Sequence, residues 1–231
     1  MKYYFLIISL LVSLVAKSQI EENTATFNED IEHYDYYYPN TNIGKSSLVS
    51  YGGAGYMPFI GKLMEYSKPS WGGAMSLDYN HHNNMTFSLS IMGTFSSNLR
   101  KDVNINNNMW TPLDTVTFWS YGLSVGYSVL NNVHWRINPF GGIVLSHTEL
   151  VSPSGNKYKS GAKPSPIIGM NISYRFINVN KEKQYSGMSS CFGINARITY
   201  IPYAVNNKEI PFSGSIWYMT IGVTLNLYGN N

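Results

Sequence analysis

The stretch Tyr121-Gly-Leu123-Ser-Val125-Gly-Tyr127-Ser-Val129 alternates large apolar residues with glycine and serine. A period of two predicts a β-strand with one apolar and one polar face. The polar face carries no charge, whereas a soluble sheet usually turns Lys, Glu and Arg toward water. Because glycine and serine suit a crowded barrel interior, we expect the apolar face of this strand to contact lipid.

Seven further stretches alternate in the same way, each over roughly ten residues, the length that a tilted strand needs to cross a bilayer. The predicted strands are Ser47–Met57, Ser70–Asn80, 85–95, 119–129, 133–145, 168–176, 192–200 and 217–227. In lipid, only a closed barrel satisfies the backbone of such strands. The sequence therefore predicts an all-β fold, an eight-stranded antiparallel up-and-down transmembrane β-barrel.

The chain begins with the features of a secretory signal peptide: Lys2, an apolar run over residues 3–15, and small residues at Ala16 and Ser18. The run is too short for a spanning helix, which needs about 20 apolar residues. We expect cleavage after Ser18, so that residues 1–18 are removed. Residues 19–45 are acidic and show no strand or helix period, which indicates an extended N-terminal arm in the periplasm. Residues 46–231 are assigned to the barrel.

The charge balance does not indicate a nucleic-acid partner, because the precursor carries 16 basic and 13 acidic residues and the signal peptide removes two lysines. Cys191 is the single cysteine, so it cannot form an internal disulfide. It lies within a strand pattern, where a small buried filler is the expected role.

The links between predicted strands alternate in length, with long links after strands 1, 3, 5 and 7. The longest of these precedes Asp114, and a second covers residues 146–164. Outer-membrane barrels have short periplasmic turns and long external loops, so both chain termini are predicted to be periplasmic. Aromatic residues fall near both ends of the apolar faces, as expected of membrane girdles. The alternative is a soluble lipocalin-like barrel, whose outside would then be nearly uncharged.

The signal peptide, the alternating strands and the ending Gly222-Val-Thr-Leu225-Asn-Leu227-Tyr228 resemble the small outer-membrane β-barrel families of Gram-negative bacteria, of the OmpX and OmpA-barrel kind. The last strand is similar to the assembly signal of those proteins, although this chain ends Gly229-Asn-Asn instead of in an aromatic residue. The resemblance covers about residues 46–228. It implies the barrel fold and an outer-membrane location, and it implies little about activity.

Four charged residues within the strands share the inward-facing parity: Asp78, Arg136, Arg175 and Arg197. Buried charges need partners, so we predict a structural cluster of paired charges in the lumen, with a ligand site as the alternative. Asp78, Arg136 and Arg175 are expected to meet near the periplasmic level. Arg197 is expected to lie higher, without an obvious strand partner.

No catalytic, metal or cofactor site is predicted. His81 and His82 lie in a predicted turn without a nearby third ligand. His147 lies at a predicted outer strand end, the level at which lipid A deacylases place a catalytic set. Those enzymes have a serine shortly after the histidine, whereas here Thr148 and Glu149 follow.

Lys157, Lys159 and Lys163 form a predicted basic external loop that could contact lipopolysaccharide phosphates or an acidic partner. The primary functional hypothesis is a non-enzymatic outer-membrane barrel that structures the envelope or contacts a protein partner through its external loops or its N-terminal arm. The alternatives are a barrel enzyme that acts on outer-membrane lipid, and a narrow conduit or barrel subunit of a secretion or transport machine. Eight strands leave little room for a conduit, because side chains fill such a lumen.

Overall fold

The computed structural model describes residues 46–105, 107–132, 134–176, 188–204 and 213–229. Eight long antiparallel strands pair in chain order, and the last pairs with the first, so the sheet closes into a barrel. The strands are β1 Ser47–Met57, β2 Ser70–Asn80, β3 Met85–Thr94, β4 Thr115–Tyr127, β5 Trp135–Val151, β6 Lys163–Arg175, β7 Met188–Ala204 and β8 Ser213–Gly229. The predicted all-β, eight-stranded antiparallel barrel is confirmed.

Two rims bound the barrel. We call the rim at which β2 ends and β3 begins the turn rim, and the opposite rim the loop rim. The described parts of the links at the loop rim contain one helix, α1 Lys62–Tyr66, and most of the short strands. The short strands are Phe59–Ile60, Ser97–Asn98, Val103–Ile105, Asn108–Trp110, Leu130–Asn131 and Lys157–Lys159, of which Leu130–Asn131 lies at the turn rim.

The backbone register gives the barrel a strong stagger. Paired positions followed around the wall from Leu48 return to the first strand segment at Pro58, ten residues further along the chain, where Trp217 N–H donates to Pro58 O at 3.1 Å. For eight strands at ordinary sheet spacing this stagger corresponds to a tilt of roughly 40°. Such a barrel is just wide enough for its interior to be filled by side chains.

The outer wall is apolar along its middle, as the alternation predicted. Leu123, Ile221 and Val223 are each 67% exposed, while the serines and glycines between them point inward. Aromatic side chains form a ring near each rim. The loop-rim ring includes Trp71, Phe95 and Trp119, and the turn-rim ring includes Tyr79, Phe87, Tyr127, Trp135 and Phe192. The facing of the glycine-rich β1, which the sequence left ambiguous, is now clear, because Val49 and Tyr51 are buried and Leu48 is exposed.

Several strands extend further at the loop rim than predicted. The predicted long loop over residues 146–164 is wrong at both ends, because β5 continues to Val151 and β6 begins at Lys163. The reason is that above the loop-rim aromatic ring the apolar residues lie on the inward face and the polar residues on the outward face. There Val116, Phe118 and Leu150 point inward and are fully buried, while Thr117 and Glu149 point outward. A pattern search for apolar residues on the lipid face stops where this inversion begins.

The predicted signal peptide over residues 1–18, the acidic arm over residues 19–45 and the link through 206–207 lie outside the described residues. In the described part of the chain, no helix has the length and apolar character needed to cross a membrane.

Candidate functional site in the lumen and at the loop rim

The lumen has two layers. Toward the turn rim, its lining is polar and includes Asp78, Thr86, Asn138, Asn171, Arg175, Asn195, Arg197 and Thr220, all buried. Toward the loop rim, its lining is apolar and includes Met57, Met92, Val144, Ile167, Ile201, Ile216 and Tyr218, all buried. The sequence predicted the polar layer but not the apolar layer.

Arg197 is the centre of the polar layer. Its Nη2 lies 3.7 Å from Asp78 Oδ2, and its Nε donates to Asn171 Oδ1 at 2.6 Å. The guanidinium also lies over two aromatic rings, 5.3 Å from the centroid of Tyr51 and 5.2 Å from that of Phe140. Cation–π contacts of this kind stabilise a desolvated guanidinium. The expectation that Arg197 lacks a partner is therefore wrong, because its long side chain crosses the narrow lumen to Asp78.

Arg136 and Arg175 lie near the turn rim, and the structure does not bring them into an ion pair with Asp78. Arg136 donates from Nε to Ser128 Oγ at 2.7 Å, and from Nη2 to Thr86 Oγ1 at 2.7 Å. These bonds join β3, β5 and the link after β4. The two guanidinium groups are thus held by neutral acceptors, which satisfy donors without adding negative charge.

Arg175 fastens the turn rim to the last strand. It donates to Tyr228 OH at 3.4 Å, to Asn131 Oδ1 at 2.8 Å and to the carbonyl of Asn132. A planar guanidinium with several donors suits such a multiple contact. We propose a structural role for all four charged residues of the lumen.

Six inward polar side chains of the polar layer keep one buried atom without a hydrogen-bond partner among the described residues. They are Ser76, Asp78, Asn138, Arg175, Asn195 and Thr199. Buried polar atoms of this kind are normally satisfied by internal water. This end of the lumen therefore has the chemistry of a hydrated pocket.

The apolar layer continues into the links at the loop rim. Leu63 of α1 is fully buried, and Phe59 packs edge-on against Phe118 with ring centroids 5.0 Å apart. Leu99, Val103, Ile105 and Trp110, from the link between β3 and β4, belong to the same buried cluster. We call this cluster the apolar plug. It fills the loop-rim half of the lumen, so the polar layer ends against packed side chains.

A second polar group lies on the outer wall above the loop-rim aromatic ring. Glu149 Oε1 accepts from Lys159 Nζ at 3.1 Å and lies 3.3 Å from His147 Nε2. The His147 ring is buried and stacks on Tyr121, with centroids 5.9 Å apart and planes 10° apart. The hydrogen bond from Lys159 and its positive charge hold the pKa of the Glu149 carboxyl below its ordinary value.

The three lysines predicted as one basic loop occupy different settings. Lys157 and Lys159 lie on a short strand that pairs with the end of β5, so Lys159 is opposite Glu149 and Lys157 is opposite Val151. Lys163 is the first residue of β6 and pairs with Ser146. The described residues at the loop rim hold seven basic and four acidic residues, which leaves this rim with a positive balance.

The remaining chemistry-bearing residues have local partners. His81 Nδ1 lies 2.8 Å from Asn83 Oδ1 within the turn, and its ring contacts His82. Cys191 is buried, with its Sγ 4.0 Å from Tyr228 OH. Among the described residues no group of three or more His, Cys, Asp or Glu side chains could hold a metal ion.

Sequence reasoning missed the residues that surround Arg197. Phe140 is an aromatic residue at an inward position between Asn138 and Gly142, and Tyr51 is an inward aromatic residue in glycine-rich β1. A large ring on the polar face of a barrel strand is the signal that could have identified both. Phe118 and Leu150 carry a similar signal for the apolar plug.

No protein-family model matches the chain, and no curated protein matches it. The similar solved structures include the neisserial surface protein A, with 11% identity, coverage of 80% of this chain and 97% of that chain, and a TM-score of 0.47. They also include Ail, the attachment invasion locus protein of Yersinia pestis, in complex with the heparin analogue sucrose octasulfate, with 16% identity, coverage of 79% and 98%, and a TM-score of 0.44. The N-terminal β-barrel domain of Pseudomonas aeruginosa OprF has 13% identity, coverage of 79% and 97%, and a TM-score of 0.43.

The class of the protein follows from its own architecture. The wall is closed, its strands are long enough to cross a bilayer, and its exposed apolar band lies between two aromatic rings. These features define a small integral outer-membrane β-barrel.

Proposed function

We propose that this protein is a non-enzymatic outer-membrane barrel that acts through its loop rim, with both chain termini in the periplasm. The observation that carries the proposal is the two-layer lumen, in which a polar layer with a buried ion pair ends against the apolar plug. A barrel closed in this way offers its loop rim, rather than a channel, to other molecules. The surroundings of His147 support the non-enzymatic assignment, because among the described residues its side chain contacts Tyr121 and Glu149 and bonds to no Ser, Thr or Cys nucleophile.

We expect no steady ion conductance when the full mature protein is inserted into a planar bilayer. The reason is that the apolar plug excludes water and hydrated ions from half of the lumen. The control is the Leu63→Asp variant, which places a charge in the apolar plug and should loosen α1 and its flanking link. This variant is expected to produce transient currents. Stable single-channel steps in the unmodified protein would contradict a closed lumen.

Cysteine labelling on intact cells is expected to map the orientation. In a Cys191→Ser background, single cysteines at Asn107 and Gly155 should react with a membrane-impermeant maleimide, because both lie in links at the loop rim. Cysteines at Asn83 and Asn132, which lie at the turn rim, should react only after lysis. Labelling of Asn83 without labelling of Gly155 would place the loop rim in the periplasm.

We further propose that Lys157 and Lys159 contact phosphates of lipopolysaccharide. Both lie on the outer wall just above the aromatic ring, the level of lipid headgroups, and a lysine near an anionic surface contributes about 1 kcal/mol. The Lys157→Ala/Lys159→Ala variant should therefore bind fluorescent lipopolysaccharide about tenfold more weakly at low salt. The matched control is Lys68→Ala/Lys101→Ala, which removes the same charge elsewhere on the rim. Equal losses in the two variants would show that net charge alone matters.

A further inference from the structure

The wall between β6 and β7 loses its backbone pairing near the loop rim. The last pair at this end is Ile168 with Tyr200, although β6 extends outward to Lys163 and β7 extends to Ala204. In the same stretch, β6 remains paired with β5 as far as Lys163, and β7 remains paired with β8 as far as Ala204. Both strands are therefore in place, and only the seam between them is open over these described residues.

Prolines account for the interruption. Continuing the register places Pro166 opposite Pro202 and Pro164 opposite Ala204. Nearer the turn rim, the same register places Phe176 opposite Phe192, and Phe176 N–H donates to Phe192 O at 2.8 Å. The even-numbered residues of β6 and β7 are therefore the ones that exchange two hydrogen bonds across the seam. Proline has no N–H to donate. The pair of Pro166 and Pro202 therefore loses both bonds.

Pro164 removes a third hydrogen bond, because a residue with an N–H at this position would donate to the carbonyl of Ala204. The carbonyls of Pro166, Pro202 and Ala204 are left facing the seam with no backbone donor opposite them. The prolines cost no hydrogen bond between β6 and β5, because even-numbered residues of β6 direct their N–H groups toward β7 and not toward β5. The prolines thus open one side of β6 selectively.

The open stretch lies at the level of lipid headgroups. Tyr200, at its lower end, pairs with Trp217 and packs against it with ring centroids 4.9 Å apart, within the loop-rim aromatic ring. Pro164 and Pro166 are exposed on the lipid-facing side. The inward neighbours Ile167 and Ile201 are 2% and 0% exposed, so the floor of the opening is apolar and sealed. We call this opening the β6–β7 slot.

We propose that the β6–β7 slot binds one glycolipid of the outer leaflet, an assignment that rests on the proposed orientation of the barrel. Its acyl chain lies along Pro166 and Ile168, and its sugar hydroxyls donate to the free carbonyls of the slot. A ligand with several hydroxyl donors is what a row of acceptors without donors requires, and lipid is what surrounds this part of the wall.

Photocrosslinking tests the proposal on the full mature protein in its native envelope. Benzoylphenylalanine is introduced at Ile168, which is 59% exposed beside the slot, and separately at Met75, which is 66% exposed on the far side of the barrel. After extraction in mild detergent and illumination, covalent lipid adducts are identified by mass spectrometry. We expect about tenfold more glycolipid adduct at Ile168 than at Met75, since bulk lipid is removed and slot-bound lipid is retained by its hydrogen bonds.

A variant that closes the slot provides the second measurement. Pro166→Val/Pro202→Val restores two N–H donors at outward positions that suit a β-branched residue, so the adduct at Ile168 should fall to the level at Met75. Pro139→Val, at an exposed proline of β5 near the turn rim, should leave the adduct unchanged. Heat-modifiable mobility on a gel establishes that each variant is folded.

Three outcomes would overturn the proposal: equal adduct at Ile168 and Met75, no effect of the double proline variant, or adducts with the mass of a phospholipid. An inverted orientation would be detected independently by surface labelling at Gly155. A failure of the slot is therefore distinguishable from a failure of the proposed function.

Discussion

Replacing Arg197 with methionine is expected to lower the free energy of unfolding by about 3–5 kcal/mol, because it leaves the carboxylate of Asp78 buried without its ion-pair partner. The two side chains are 3% and 9% exposed, and their nearest charged atoms lie 3.7 Å apart. The variant also loses the hydrogen bond to Asn171 and the contacts with two aromatic rings. Urea unfolding in lipid vesicles, followed by tryptophan fluorescence, measures the change.

Two controls separate the buried pair from charge in general. In Asp78→Leu/Arg197→Met both charges are removed, and most of the lost stability should return, since a buried ion pair and an apolar pair of similar volume are often nearly equivalent. Lys101→Ala breaks an exposed pair with Glu65 of 3.0 Å and should cost less than about 1 kcal/mol. A double variant as unstable as Arg197→Met would show that packing around Arg197, and not the pairing of charge, is what stabilises this layer.

Replacing Phe118 with alanine should cost about 3–5 kcal/mol, as is usual for truncating a fully buried phenylalanine. Phe118 is 0% exposed and packs against Phe59 in the apolar plug. The same unfolding measurement applies, and the variant should also expose the plug to proteolysis from the loop rim.

Phe95 provides the matched control for Phe118. It follows β3 near the loop rim and is 60% exposed on the lipid-facing side, so Phe95→Ala leaves no cavity and should cost much less. If the two alanine variants were equally destabilised, the loop-rim half of the lumen would not contain a packed core.

The period-two pattern predicted the facing of most of the membrane-spanning wall. Leu123 and Val125 point to lipid and Ser124 points inward, because a strand alternates its side chains strictly and lipid accepts only one kind of face. The bounds of β1 and β2 were predicted as they are observed. Above the aromatic ring the same rule failed, because Val116 and Leu150 turn inward where lipid headgroups and water, and not acyl chains, surround the wall.

The partners within the lumen were less accessible to sequence reasoning. Parity identified Asp78 and Arg197 as inward residues, but the strand ends gave no indication that the two side chains meet. The stagger of ten residues around the wall, together with the length of the arginine side chain, decides which charges come together. Local sequence patterns do not reveal how the strands are staggered against one another.

The all-β class, the eight crossings and the lipid-facing side of the wall could be predicted from the amino-acid pattern, because each depends on local alternation and on the length of a bilayer-spanning strand. The pairing of Arg197 with Asp78, the apolar plug and the open seam at Pro166 and Pro202 were found only in the folded barrel. Each of these joins residues that are distant along the chain, and closure of the barrel sets which of them are opposite one another.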